Sequence, residues 1–398
     1  MNDVAIVGGG IVGLSTAYQI LTERPQTKLI LLEKESQVGQ HQTGHNSGVI
    51  HSGIYYKAGS LKAQNCINGY QMLIDFAKKN DIPYDLCGKL IVATNEKEKE
   101  QIQLLLKRGQ ENNLDGLRIL NREEIKEIEP FVEGLEAIHV PQTGIIDYGL
   151  VCQKLKENIE KQGAKVKTGF PVQNLFENEK GVIIHSSKRS QIEAKIAINC
   201  GGLFSDRLAK GSLKKIDTKI IPFRGEYFKL KETSKYLVKN LIYPVPDPNF
   251  PFLGVHFTRM INGDVEAGPN AVLAFKREGY KKTDFNVFDL FEILSWPGFQ
   301  KVALKYWQTG LGELYRSYSK KAFTRALQKL VPSIKKSDLE AAPAGVRAQA
   351  SSKDGGLLDD FKIEQKNKII HVLNAPSPAA TSSLSIGRTI AELALQKI

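Results

Sequence analysis

Cysteine is scarce in this chain: four in 398 residues, Cys66, Cys87, Cys152 and Cys200, with no C-x-x-C pair among them. That excludes a disulfide scaffold, a zinc ribbon and a thioredoxin-type dithiol, and it suits a reducing compartment. No apolar run approaches the roughly 18 residues of a membrane-spanning helix, and Met1 leads straight into the apolar Val4-Ala5-Ile6-Val7 with no basic leader. The expected location is cytoplasmic, with peripheral attachment to the inner face of the cell membrane left open. Low-complexity linkers and internal repeats are also missing, which argues against disordered tails and repeat arrays.

What is present is the composition of an ordinary globular protein, 41% hydrophobic and 25% charged, long enough for roughly two or three domains. Lys and Arg number 55 against 43 Asp and Glu, a net charge of +12 that would attract nucleic acid, anionic lipid or a small anionic substrate without choosing between them. The excess is concentrated in residues 296–336. There Trp296, Phe299, Tyr306, Trp307, Tyr315, Tyr318 and Phe323 are interleaved with Lys301, Lys305, Arg316, Lys320, Lys321 and Arg325, and the acidic residue is Glu313. Aromatic anchors among basic groups suit an anionic membrane surface. No clustered aromatic RNA-binding motif accompanies them, so nucleic acid is not an expected partner.

The first 33 residues read as β-α-β. Val4–Val7 is a buried strand, Gly8-Gly9-Gly10-Ile11-Val12-Gly13 holds G-x-G-x-x-G at Gly8, Gly10 and Gly13, Ile11–Thr22 has helical spacing, and Lys28–Glu33 is a second buried strand. Gly8 permits a tight turn, Gly10 lets backbone approach a pyrophosphate, and Gly13 lets helix and strand touch. Glu33 ends the second strand, where a carboxylate accepts hydrogen bonds from ribose hydroxyls. Dinucleotide binding follows. The long loop Gly39–Tyr56, dense in Gly and small polar residues where an NAD unit would continue into a helix, favours FAD.

Similar strand-to-helix turns recur at 196–208, through Cys200-Gly201-Gly202, and at 368–395, so distant segments are expected to share one parallel sheet. The predicted fold class is α/β: a Rossmann-like FAD-binding domain of residues 1–80, 143–212 and 343–398, with a discontinuous α+β substrate domain of residues 81–142 and 213–342 built on a β-sheet. The latter includes a helical, basic and aromatic segment over 284–336. Residues 59–79, 97–114 and 149–161 are expected helices, and 84–94 an expected strand.

Five motifs carry a resemblance: His45-Asn46-Ser47-Gly48-Val49-Ile50-His51, Pro222-Phe223-Arg224-Gly225-Glu226-Tyr227-Phe228, Gly268-Pro269-Asn270-Ala271, Ala344-Gly345-Val346-Arg347-Ala348-Gln349, and Asn374-Ala375-Pro376-Ser377-Pro378 continuing to Leu384. With them the chain resembles the glycine oxidase and D-amino-acid oxidase superfamily of FAD enzymes, and within it the L-2-hydroxyglutarate oxidases or dehydrogenases. The resemblance implies oxidation of L-2-hydroxyglutarate to 2-oxoglutarate, with electrons passed to a quinone or to oxygen.

Such a reaction removes a hydroxyl proton and transfers the Cα hydrogen as hydride to the flavin, so it calls for a general base and for cations facing two carboxylates. His51, in the flavin-proximal loop, is a candidate base, a candidate covalent attachment point for flavin, or a structural residue. His256, alternating with apolar residues in Phe252–Arg259, is the rival base or a satisfied core histidine. Arg347, in a small and apolar stretch, is the candidate for one substrate carboxylate and Arg259 for the other, while Arg224 and Glu226 are expected to pair with each other. Asn46, Ser47, Gly48 and Gly201 are expected at the cofactor. So are Asn374, Ser377 and Thr381, where amides opening the final helix would face reduced flavin unless Ser and Thr there are plain N-caps. No metal site is expected. Rival readings are an amine oxidase of glycine or sarcosine type, an RNA-binding flavoprotein, and a dinucleotide sensor without turnover.

Overall fold

The computed structural model of the protein describes residues 1–213, 215–247 and 253–398; Phe252, which opens the run Phe252–Arg259, lies outside them. Strand Asn2–Val7 (β1) pairs in parallel with Leu29–Leu32 (β2) on one side and with Gln191–Asn199 on the other, and helix Ile11–Glu23 (α1) joins β1 to β2. Strands without polar alternation need cover on both faces. Val4 and Ile6 face α1, Leu61–Lys79 (α2), Tyr148–Lys161 and Ser383–Leu395, in a core with Leu14, Leu73, Phe76, Leu155 and Ile390. Ala5 and Val7 face the other way, onto Phe170, Leu175, Ile184 and Leu208.

The sheet collects strands from across the chain. Its order is Val172–Glu177, Val182–Ser186, Gln191–Asn199, β1, β2, Lys165–Lys167, and Ile369–Asn374 lies parallel to Gln191–Asn199. The centre of the sheet is parallel and covered on both faces, as expected, but Val172–Glu177, Val182–Ser186 and Lys362–Lys366 join it antiparallel, so the sheet as a whole is mixed. The strand-to-helix turns after residues 199 and 374 join the one after β1 at the same end of the parallel strands. Two glycines let the last helix settle. A Cβ at Gly387 would lie 2.6 Å from the Ser15 carbonyl carbon on α1, and one at Gly69 of α2 would lie 2.5 Å from Ser382 Cα.

A second, mixed sheet of eight strands runs in the order Leu339–Ala341, Phe228–Leu230, Val265–Gly268, His256–Arg259, Leu241–Pro244, Lys89–Ala93, Glu136–Val140, Arg118–Leu120. Phe257, Ile242, Leu90 and Val92 meet Phe323 and Leu327 of helix Lys320–Leu327 beneath it. A smaller sheet sets Thr218–Gly225 antiparallel to Gly345–Ser352, with Phe223 opposite Arg347.

Two expected elements divide. Residues 84–94 form two strands, Tyr84–Asp85 and Lys89–Ala93, in different sheets. Gly88 between them has φ +78°, a left-handed turn that no strand continues through. Residues 284–336 hold three helices, Val287–Leu294, Pro297–Tyr318 and Lys320–Leu327. Pro297 can only begin a helix, and the Ser319 side chain caps the third at the Ala322 N–H.

Candidate active site

One cavity of about 930 Å³ begins at the glycine turn after β1 and ends between Tyr55, Tyr243, His256 and Arg347. The three glycines there have two different physical roles. A Cβ at Gly8, whose φ is +110°, would fall on the Cys200 carbonyl, and a Cβ at Gly13 would fall on the Gly8 carbonyl, so these two permit close backbone packing. A Cβ at Gly10 would meet little, the Thr43 hydroxyl at 3.6 Å being the one atom near it. Gly10 therefore clears space inside the cavity, as a pyrophosphate passing over the start of α1 requires, and the residues present fit a dinucleotide.

Glu33 is buried and lines the same end. Its Oε2 accepts from the Gly9 N–H at 2.6 Å and its Oε1 from the Glu35 N–H at 2.9 Å. Held at both oxygens by backbone, the carboxylate keeps further lone pairs for ribose hydroxyls. Beyond it His41 sits 2.9 Å from Glu35 and 3.0 Å from the Tyr280 hydroxyl, with Lys34 paired to Glu278 alongside. The hydrogen bond from His41 lowers the Glu35 carboxyl against the opposing effect of burial.

The other expected cofactor residues separate into those on the cavity and those behind it. Asn46, Ser47, Gly201 and Ser377 line it. Asn46 also shapes its loop, accepting from the Gly48 N–H at 2.9 Å. Gly48 lies behind the wall with φ +65°, where a Cβ would be 2.8 Å from the Ile146 carbonyl oxygen. Asn374 is buried and ties the end of its strand to the loop before Lys362–Lys366, donating to the Asp360 carbonyl at 2.8 Å and the Leu358 carbonyl at 3.1 Å. Thr381 is buried too. Its hydroxyl accepts from the His51 N–H at 3.1 Å and lies 2.9 Å from the Tyr148 hydroxyl, so it anchors the loop that carries His51. The final helix starts at Ser383, and the segment that meets the cavity is the turn Ala375–Ala380 before it.

At the far end His51 and His256 both line the cavity. Burial pushes His51 down to about 3, with the charges of Lys89, His256 and Arg347 adding to it. His256 is likewise pushed down to about 3 by burial, against a raising bond to the Gly254 carbonyl. That bond, 2.8 Å from Nδ1, puts the proton on Nδ1 and leaves Nε2 as an acceptor. Both imidazoles are therefore neutral, as a proton acceptor must be. The His256 ring leans on Tyr243 with centroids 3.9 Å apart. Arg347 reaches into the cavity and bonds Tyr227, whose phenol burial pushes up to about 12.

Arg259 is not brought to this group. It forms an ion pair with Asp85 and does not line the cavity. Strand side chains alternate between faces, so with His256 turned to the cavity a residue three positions on points away. Arg224 pairs with Glu226 at 2.9 Å. Sequence reasoning did not single out Tyr55, Tyr227, Tyr243 or Lys89. The signal available was Lys89 itself, a lysine opening the otherwise apolar run Leu90-Ile91-Val92-Ala93.

A family profile described as FAD dependent oxidoreductase matches residues 3–393. The chain is 58% identical to the L-2-hydroxyglutarate dehydrogenase of Indibacter alkaliphilus over 99% of both chains. It is 47% identical to the protein of that name from Escherichia coli strain K12, over 98% of this chain and 92% of the other. Among solved structures, FAD-bound L-alpha-glycerophosphate oxidase from Mycoplasma pneumoniae superposes with a TM-score of 0.81 at 24% identity, covering 99% of this chain and 94% of that one. Glycine oxidase from Geobacillus kaustophilus superposes with a TM-score of 0.74 at 16% identity, covering 100% and 95%. With the dinucleotide cradle, the neutral histidines and these full-length similarities together, the chain belongs to the FAD dependent oxidoreductase family and, within it, to the L-2-hydroxyglutarate dehydrogenases.

Proposed function

We propose that this chain oxidises L-2-hydroxyglutarate to 2-oxoglutarate and delivers the electrons to a quinone or to oxygen. The observation that carries the reading is the continuous cavity joining the Gly8–Gly13 cradle to a pocket walled by two neutral imidazoles and a guanidinium. FAD, when bound along that cavity, supplies the hydride acceptor. Arg347, with Tyr227 beside it, pairs with one substrate carboxylate and orients Cα. His51 takes the hydroxyl proton, the Cα hydrogen leaves with its electron pair, and the C–O bond becomes C=O, so atoms and charge balance. His256 Nε2 is the second acceptor within the pocket and the alternative base. The Glu33 carboxylate holds the ribose, and Ser47, Gly201 and Ser377 flank the cofactor. We read residues 1–80, 143–212 and 343–398 as the cofactor domain and the remainder as the substrate domain.

Docking on an anionic membrane surface is part of the same reading, since a quinone is reached there. Its support is the apolar face of Val287–Leu294 and Pro297–Tyr318, where Phe288 is 81% and Leu304 78% exposed, with Phe291, Trp307 and Tyr318 also outward. Among the described residues no helix is long and apolar enough to cross a membrane.

The test is anaerobic mixing of the yellow holoenzyme with L-2-hydroxyglutarate, D-2-hydroxyglutarate, L-lactate and glycine in turn. Bleaching of the flavin by the first alone is expected. Bleaching by glycine, or by none of the four, overturns the assignment.

A further inference from the structure

Lys89 opens strand Lys89–Ala93 and is 1% exposed, among the largest fully buried side chains of the protein. Arg277 is as deeply buried, but Asp206 and Glu292 answer its charge. Among the described residues Lys89 takes part in no ion pair. Its ammonium lies instead over two phenol rings, 4.4 Å from the centroid of Tyr55 and 5.0 Å from that of Tyr243. An ammonium withdrawn from water without a counter-ion is strongly disfavoured, and a methionine or leucine would fill the same space.

Both rings are walls of the substrate end of the cavity, and Tyr243 is also the ring that His256 leans on. The Tyr55 hydroxyl is itself buried with no hydrogen-bond partner. One wall thus holds a cation and a donor and no acceptor for either. A substrate with two carboxylates needs a second positive centre besides Arg347. Arg259 is committed to Asp85 outside the cavity, and Lys62, on the cavity, to Asp359 at 2.6 Å. Arg108, also on the cavity, is turned to the Tyr55 backbone, donating to its carbonyl at 2.9 Å. Lys89, directly behind the Tyr55 and Tyr243 rings, is the cation at that end with neither a carboxylate nor a carbonyl partner among the described residues.

We propose that Lys89 is a positioning residue that makes this pocket selective for dicarboxylates: from behind Tyr55 and Tyr243 it supplies the charge that attracts the second carboxylate and strengthens their hydroxyls as donors to it. The proposal rests on the substrate reading above. Cation–π contact polarises a phenol, and the low dielectric of the wall lets the charge act across one ring. The groups facing Lys89 are Tyr55, His51 and Cys66 from the loop and α2, and Tyr243 and His256 from the neighbouring strands. Burial holds the tyrosines and Cys66 above the neutral range and the histidines below it. Burial brings Lys89 itself down to about 7. A bound dianion favours its charged form, so dicarboxylate affinity is highest below about pH 7 and falls as pH rises.

The experiment compares glutarate with butyrate, two unreactive acids, by their perturbation of the flavin spectrum in wild type, Lys89→Met and Lys89→Arg between pH 6 and 9. Lys89→Met is expected to weaken glutarate about tenfold, the scale of one charge-assisted interaction, with butyrate changed less than about twofold. Lys89→Arg should recover part of the loss. The wild-type glutarate-to-butyrate ratio should fall with pH and the Lys89→Met ratio stay flat, which separates Lys89 from Glu266, a carboxyl that burial raises to about 7 near Tyr227. Equal weakening of both acids, or an unchanged glutarate affinity in Lys89→Met that retains its flavin, overturns the proposal. If that variant loses flavin, a pH-independent ratio in wild type overturns it. Wild type that binds glutarate yet is not bleached by L-2-hydroxyglutarate defeats the substrate reading and leaves the role of Lys89 standing.

Discussion

His371 shows how a single buried side chain ties the fold to pH. It is fully buried, with Nδ1 3.0 Å from the Asn199 amide and Nε2 2.7 Å from the Ser212 hydroxyl. The amide donates to Nδ1, so the ring is neutral with its proton on Nε2. Burial brings it down to about 4, whereas in the unfolded chain it titrates near 6.5. Between those values the unfolded chain binds the extra proton, so stability is fully present above about pH 6.5 and is lost as pH falls toward 4. From pH 7.5 to 5.5 this one residue removes roughly 1 kcal/mol. His371→Asn should therefore flatten the fall in unfolding free energy over that range, measured by urea titration at each pH. Parallel curves for the variant and wild type would assign the pH dependence elsewhere.

Elements are placed by how closely their backbones can approach. The last helix and α1 meet where Gly387 leaves room for Ser15, and any Cβ there must push the helices apart. Gly387→Ala is expected to cost about 1–3 kcal/mol, the range for overpacking a closed core. Gly310 lies inside the helix Pro297–Tyr318 with open space beside it. There alanine removes only unfolded-state freedom, and Gly310→Ala should stabilise by about 0.5–1 kcal/mol. Thermal unfolding of the two variants side by side checks the argument, which fails if both move in the same direction. That helix also carries a non-helical residue, Tyr306, with φ −116° and ψ 19°.

For the whole molecule, the charge excess matters through where it lies beside the apolar face. Lys320 is not a free surface charge, because its ammonium donates to the Leu339 carbonyl at 2.6 Å. Exposed apolar residues on Val287–Leu294 and Pro297–Tyr318, together with exposed lysines of the same stretch of sequence such as Lys305 and Lys321, are the combination that an interfacial helix uses. Each basic group near an anionic leaflet contributes about 1 kcal/mol, and salt screens it. Cosedimentation with anionic vesicles at low salt is therefore expected, weakened by Phe288→Asp with Phe291→Asp and by Lys305→Glu with Lys321→Glu. Equal recovery of wild type in the supernatant with and without vesicles would end the membrane reading.

The cofactor half of the site could be read from the sequence because its determinants are local. Clearance at Gly10, close packing at Gly8 and Gly13 and the strand-ending carboxylate of Glu33 all lie within one β-α-β unit, where spacing alone dictates geometry. The parallel centre of the first sheet was legible for the same reason, from apolar runs followed by glycine-rich turns, whereas its antiparallel flanking strands were not. The far end was legible only in part: His51, His256 and Arg347 were expected at a site and line the cavity, Arg259 was expected there and lies elsewhere, and Lys89 was not expected at all. His51, Lys89, His256 and Arg347 come from four separate segments, and what they face depends on which sheet each strand joins and in which phase. Alternation turned Arg259 away from the pocket, and only the folded chain brought Asp85 to it. Asn374 and Thr381 stand in a cofactor-like motif, yet tertiary hydrogen bonds to Asp360 and to the His51 backbone employ them as braces. A side chain's type and spacing state which interactions it can make, and tertiary packing alone supplies its partner.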